Sequence, residues 1–146
     1  MFAGFAPEGA RGHRTYNRPM QAGLILFAHG ARDARWAEPF ERLRDRVVRA
    51  APGVPVILAF LELMAPDFDA AATTLCDSGC RFITVVPVFL GQGAHVRQDL
   101  PQLLEVAASR HPECALRLAD AAGEDDAVLD ALAAYCVRQS TAPAVR

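Results

Sequence analysis

The stretch RFITVVPVFLGQGAHV, residues Arg81 to Val96, joins a β-prone run to a glycine-bearing turn and the start of a helix. From Arg81 to Leu90 it is rich in β-branched and aromatic side chains, as expected of a strand buried on both faces. Pro87 withholds one ladder donor near its end. Val96, Leu100, Leu103, Leu104 and Ala107 then form an apolar stripe that predicts a helix from Ala94 to Arg110, with Pro101 as a point of kinking or restart. Strand, turn and long helix in this order form a βα unit.

The same unit repeats to either side. Upstream, the continuously apolar Gly23–Ala28 predicts a first strand that stops at His29-Gly30. Trp36, Phe40, Leu43 and Val47 mark a helix whose regular start is blurred by Pro39. Pro52-Gly53 precedes a second apolar run, Val54–Leu61, ending at Glu62. A helix from Asp67 to Cys76 follows, closed by Ser78-Gly79. Downstream, Ala115–Ala119 reads as a weaker strand and Asp125–Val137 as a last helix. The fold class is therefore α/β: a single domain over residues 22–140 with a four-stranded parallel sheet and helices on both faces. Residues 1–21 read as a mobile N-terminal tail, with Met20 offering an alternative start, and residues 141–146 as a C-terminal tail.

The chain has 146 residues, 52% of them hydrophobic, enough for one core. Its net charge of −2 provides no basic field for nucleic acid, which is not expected as a partner. No run approaches the ~18 apolar residues of a membrane span, and the opening residues do not form a secretory leader. Cys76, Cys80, Cys114 and Cys136 show neither a C-x-x-C pair nor the dense spacing of a disulfide scaffold. They read as reduced packing residues of a cytoplasmic protein.

Open parallel sheets bind ligands beyond the carboxyl ends of their strands. There the sequence places His29, Glu62 and His95, one after each of the first three strands. Two imidazoles and a carboxylate suit a divalent first-row metal and equally suit proton transfer near neutral pH. Gly91 and Gly93 would permit close approach to the helix start, with Arg32 and Arg97 near enough to meet anionic groups. His13 and His111 are weaker candidates, one in the tail and one in a His-Pro turn. GQGAHV is not a dinucleotide loop, since Val96 stands where a third glycine is needed. His29-Gly30 lacks the preceding arginine of a histidine phosphatase, and neither G-x-S-x-G nor a Walker loop occurs.

Three ordered motifs, LILFAHGARD, AFLELMAPD and VVPVFLGQGAHVRQDLP, resemble the sirohydrochlorin chelatase family (CbiX/SirB type) of class II tetrapyrrole metal chelatases over Gly23 to Pro101. That resemblance implies a chelatase-like, flavodoxin-like βα repeat and an ATP-independent lyase. Its expected reaction inserts Co(II) or Fe(II), with Ni(II) also conceivable, into sirohydrochlorin or a related tetrapyrrole for cobalamin or sirohaem synthesis. His29, His95 and Glu62 take the catalytic and metal-handling positions, and Arg32, Gly91, Gly93 and Arg97 the substrate-binding ones. No cofactor beyond the metal substrate is implied. Ala31 replaces the serine usual after His-Gly, which leaves a non-catalytic metal- or tetrapyrrole-binding protein of the same fold as the alternative. Larger class II chelatases resemble two such domains facing one another, so a homodimer is expected.

Overall fold

The computed structural model describes residues 21–143. Four strands, β1 (Gln21–Ala28), β2 (Val56–Phe60), β3 (Cys80–Pro87) and β4 (Ala115–Leu118), alternate with α1 (Glu38–Ala50), α2 (Phe68–Asp77), α3 (Ala94–Arg110) and α4 (Asp126–Ser140). Short 3-10 turns, Ala34–Ala37 and Ala122–Glu124, precede α1 and α4. All pairings are parallel, and the order across the sheet is β2-β1-β3-β4. The first strand is thus interior, flanked by the second and third.

The two faces of β1 belong to different cores. Ile25 and Phe27, both fully buried, pack with Phe68, Ala71 and Leu75 of α2, Ile83 and Val85 of β3, and Leu100 of α3. Leu26 and Ala28 face the other way, with Leu58, Phe60 and the α1 side chains Phe40, Leu43 and Val47. This two-sided burial is why the strand reads as a continuous apolar run.

The expected element order is present, with local differences. Trp36 belongs to the 3-10 turn, and α1 opens with Pro39 in its first turn, where a missing N–H costs nothing. β3 ends at Pro87, short of Leu90, although the Val88 N–H still reaches the Phe27 carbonyl at 2.7 Å. α3 continues through Pro101 from Ala94 to Arg110. Asp67 caps α2 by accepting from the Ala70 N–H at 2.8 Å, and Asp125 caps α4 by accepting from Val128 at 3.1 Å.

The cysteine reading needs correction. Cys76, at the end of α2, is disulfide-paired with Cys114, just before β4, across 38 residues, with Cα atoms 6.3 Å apart. No spacing motif signals such a pair, because only the sheet order brings these two segments together. Cys80 is free and buried, and Cys136 free and exposed. The expected N-terminal tail lies outside the described residues save for Gln21, which belongs to β1.

Candidate functional site

At the carboxyl end of β1 the chain turns through His29 and Gly30. Gly30 has φ +91°, and a Cβ there would lie inside the carbonyl oxygen of Glu62 and 3.1 Å from its carbon. Only glycine fits. The close approach lets the Glu62 N–H donate to the His29 carbonyl at 2.9 Å, while the Glu62 carbonyl accepts from Met64 at 2.8 Å. Leu63, between these bonds, is held at φ +62°, a left-handed conformation that a branched side chain rarely adopts. The Glu62 backbone is thereby clamped to the His29 turn, and its side chain stays exposed.

His29 is half-buried, and its ring lies 4.4 Å from that of Phe89, tilted by 35°. Beyond it, Asp33 accepts from the Arg35 N–H at 3.0 Å and from its guanidinium at 3.2 and 2.8 Å. This pairing, the guanidinium contribution first, holds the Asp33 carboxyl below the usual aspartate range. Arg32, expected to meet substrate, is exposed in the same loop. After β3, Gly93 precedes the first residue of α3 in extended conformation, which leaves His95 exposed in the helix's first turn.

The backbone of this turn does not itself require its two glycines. Neither Gly91 nor Gly93 has a positive φ, and a Cβ at either would meet nothing within 4 Å. The fold tolerates larger residues there; what their smallness leaves open is the space outside. Arg97 is exposed, 3.9 Å from Glu124, too long and too solvated to restrain it. Leu63 and Leu90, 60% and 65% exposed, add an apolar rim beside Glu62 and Gly91. Gly30, Leu63 and Phe89 are the site features that sequence reasoning missed. The left-handed glycine had a signal in the abrupt end of the apolar run at His29-Gly30.

Because β1 lies between β2 and β3, His29 sits between the strand ends carrying Glu62 and His95. Their side chains are not gathered into a closed ligand shell. Among the described residues, the group of three potential ligand atoms within 4.8 Å of one another is Cys76, Glu113 and Cys114, whose two sulfurs are already paired. Across the sheet the order is carboxylate, imidazole, imidazole: Glu62 after β2, His29 after β1 and His95 after β3.

The CbiX family model matches residues 23–138, the whole four-stranded unit. The chain belongs to the CbiX family. Within it, the chain is 29% identical over 110 residues to a sirohydrochlorin cobaltochelatase of Sulfolobus acidocaldarius, covering 75% of this chain and 85% of that protein. The CbiX protein of Marinobacter aquaeolei VT8 assigned to cobalamin (vitamin B12) biosynthesis superposes with a TM-score of 0.73 at 32% identity, over 81% of this chain and 96% of that one. A sirohydrochlorin ferrochelatase of Bacillus subtilis is 27% identical over 114 residues, which are 77% of this chain but only 43% of that protein. Several archaeal cobaltochelatases are likewise spanned over 57 to 65% of their length.

Proposed function

We propose that this CbiX-family protein is a lyase-type metal chelatase that inserts Co(II) or Fe(II) into sirohydrochlorin or a closely related tetrapyrrole, without ATP, in cobalamin or sirohaem synthesis. The observation that carries the reading is that Glu62, His29 and His95 stand in the segments that follow three adjacent strands, Glu62 and His29 in the turns after β2 and β1 and His95 in the first turn of α3, with Glu62 held to the His29 turn by a 2.9 Å backbone hydrogen bond.

Insertion exchanges one hydrated divalent cation and a macrocycle bearing two pyrrole N–H groups for the metallated macrocycle, two protons and released water. His29 and His95 take the cation as imidazole ligands in place of water. Glu62, exposed and fixed at its backbone, serves as a third ligand or accepts a pyrrole proton. Arg32 and Arg97 meet the carboxylates of the macrocycle. Gly91 and Gly93 let its edge approach the α3 start, and Leu63 and Leu90 offer apolar surface to its ring. The metal is substrate, and the reading calls for no further cofactor; Ni(II) suits the same donors.

One unit of this size leaves a macrocycle open on one side, so the functional form is a homodimer. The setting is the cytoplasm, where iron and cobalt are held divalent.

Anaerobic mixing of the protein with sirohydrochlorin and Co(II), followed by absorbance, tests the reading. The expected result is acceleration over the spontaneous rate that falls by roughly a hundredfold or more in His29→Ala or His95→Ala. Bound metal without acceleration would instead establish a carrier, the alternative that Ala31 favours. Full activity in either histidine variant would remove that residue from the site.

A further inference from the structure

A second set of ligand-type side chains lies at the opposite end of the sheet from His29. Cys76 stands in the last turn of α2, and His111-Pro-Glu-Cys114 leads from α3 to the amino end of β4. These segments meet, so that the Cys76 and Cys114 sulfurs and a Glu113 carboxylate oxygen all lie within 4.8 Å of one another. Both cysteines are buried, whereas the Glu113 side chain is 47% exposed and opens the cluster to solvent. Outside this trio, the His111 side chain is only 13% exposed, with Nε2 at 3.0 Å from the Thr73 hydroxyl and Nδ1 at 3.8 Å from the Glu113 carboxylate.

The backbone around the cluster is fixed from both sides. The His111 N–H donates to the Ala107 carbonyl at 3.0 Å and the Cys114 N–H to the His111 carbonyl at 2.9 Å, which tightens the turn that carries Glu113. The Arg81 guanidinium donates to the Cys76 and Cys80 carbonyls at 3.3 and 2.8 Å, tying the end of α2 to the start of β3. Since β3 pairs with β4, the separation of the two sulfurs is set by the sheet. A disulfide gains nothing from a carboxylate and an imidazole beside it. Two thiolates, a carboxylate and an imidazole are together a ligand set for a thiophilic divalent cation, and their like charges repel unless a dication stands between them.

We propose that the reduced chain holds one Zn(II) between Cys76, Cys114 and Glu113, and that the Cys76–Cys114 disulfide is the metal-free state of the same site. The two states interconvert by a balanced exchange. A dithiol gives the disulfide two electrons and two protons and is itself oxidised to a disulfide; the cation then displaces the protons of both new thiols. Thiolate donors select zinc over Mg(II) and Ca(II), and Co(II) is the weaker first-row occupant. His111 takes the fourth position: with Nε2–H donating to Thr73, the Nδ1 lone pair is free on the Glu113 side. Four protein donors close the shell, as in sites that keep their metal, in contrast to the open row at His29. The bound cation ties the end of α2 to the start of β4, as the disulfide does in its absence.

Anaerobic Co(II) titration tests it, on the full chain carrying His29→Ala and His95→Ala so that those imidazoles take no cobalt, after reduction by a phosphine. The expected result is one cobalt per chain with thiolate-to-cobalt charge-transfer absorbance in the near ultraviolet, lost on addition of Zn(II). In the same background Cys76→Ser and Cys114→Ser each lose the band and Cys136→Ser keeps it, while Glu113→Gln and His111→Gln raise the cobalt dissociation constant by roughly tenfold or more. A reduced chain without the band, or a band that survives both Cys76→Ser and Cys114→Ser, overturns the site. Should either serine variant lose its circular dichroism, the unaltered chain decides. Zn(II) should hold back re-formation of the Cys76–Cys114 disulfide in air, and equal rates with and without it overturn the proposal. Neither readout involves insertion into a macrocycle, so both stand apart from the fate of the chelatase reading.

Discussion

Replacing Gly30 by alanine adds one methyl group and should damage both stability and chemistry. At φ +91° an L-residue is strained by about 1–2 kcal/mol. The new Cβ would also fall inside the Glu62 carbonyl oxygen and within 3.4 Å of the Phe60 Cβ, so the Leu61–Met64 loop must retreat. Retreat breaks the 2.9 Å bond from the Glu62 N–H to the His29 carbonyl, for about 1 kcal/mol more. The sum, about 2–3 kcal/mol, corresponds to a fall of roughly 10 °C in Tm for a domain of this size. Displacing a site carboxylate by about 1 Å costs on the order of a hundredfold in rate. Scanning calorimetry and the anaerobic insertion assay measure the two effects separately. A Gly30→Ala variant with unaltered Tm and rate would refute the claim that the Gly30–Glu62 contact organises the site.

Gly93→Ala is the counterpart: its Cβ meets nothing, so Tm should move by less than about 1–2 °C, and any effect should appear as a raised KM for the tetrapyrrole. Asp67→Ala removes the α2 cap and should lower stability by about 1 kcal/mol in denaturant titration without changing the KM. Thiol titration of air-purified protein should find Cys136 reactive in the native state and Cys80 only after denaturation, with Cys76 and Cys114 released by reductant. Asp33 should titrate below an ordinary aspartate by NMR, and Arg35→Ala should raise its midpoint. Because folding lowers that pKa, the stabilisation is present at neutral pH and is lost as pH falls through the folded-state value.

The strands were legible because burial on two faces leaves an unbroken apolar run, and the helices because α1 and α3 carry clear stripes. The positions of His29, Glu62 and His95 followed from where those runs stop. Strand order was not legible, since nothing local to Gly23–Ala28 says that β2 and β3 will flank it. The same blindness explains the glycines: Gly91 and Gly93 stand in a suggestive spacing yet are unconstrained, whereas Gly30 is dictated by a carbonyl 32 residues away. It also hid the Cys76–Cys114 pair. For α4, periodicity foretold a helix but not that none of its residues would be buried.

Gly123, in the turn that launches α4, has no room for a side chain, because a Cβ there would strike the Leu90 backbone, and its N–H donates to the Phe89 carbonyl at 2.8 Å. Phe89 in turn carries the ring on which His29 rests. The root of the protruding helix is therefore fastened to the surface beneath the first histidine. A shift at the root of α4 would therefore be felt first at the Phe89 backbone and, through its ring, at the His29 imidazole.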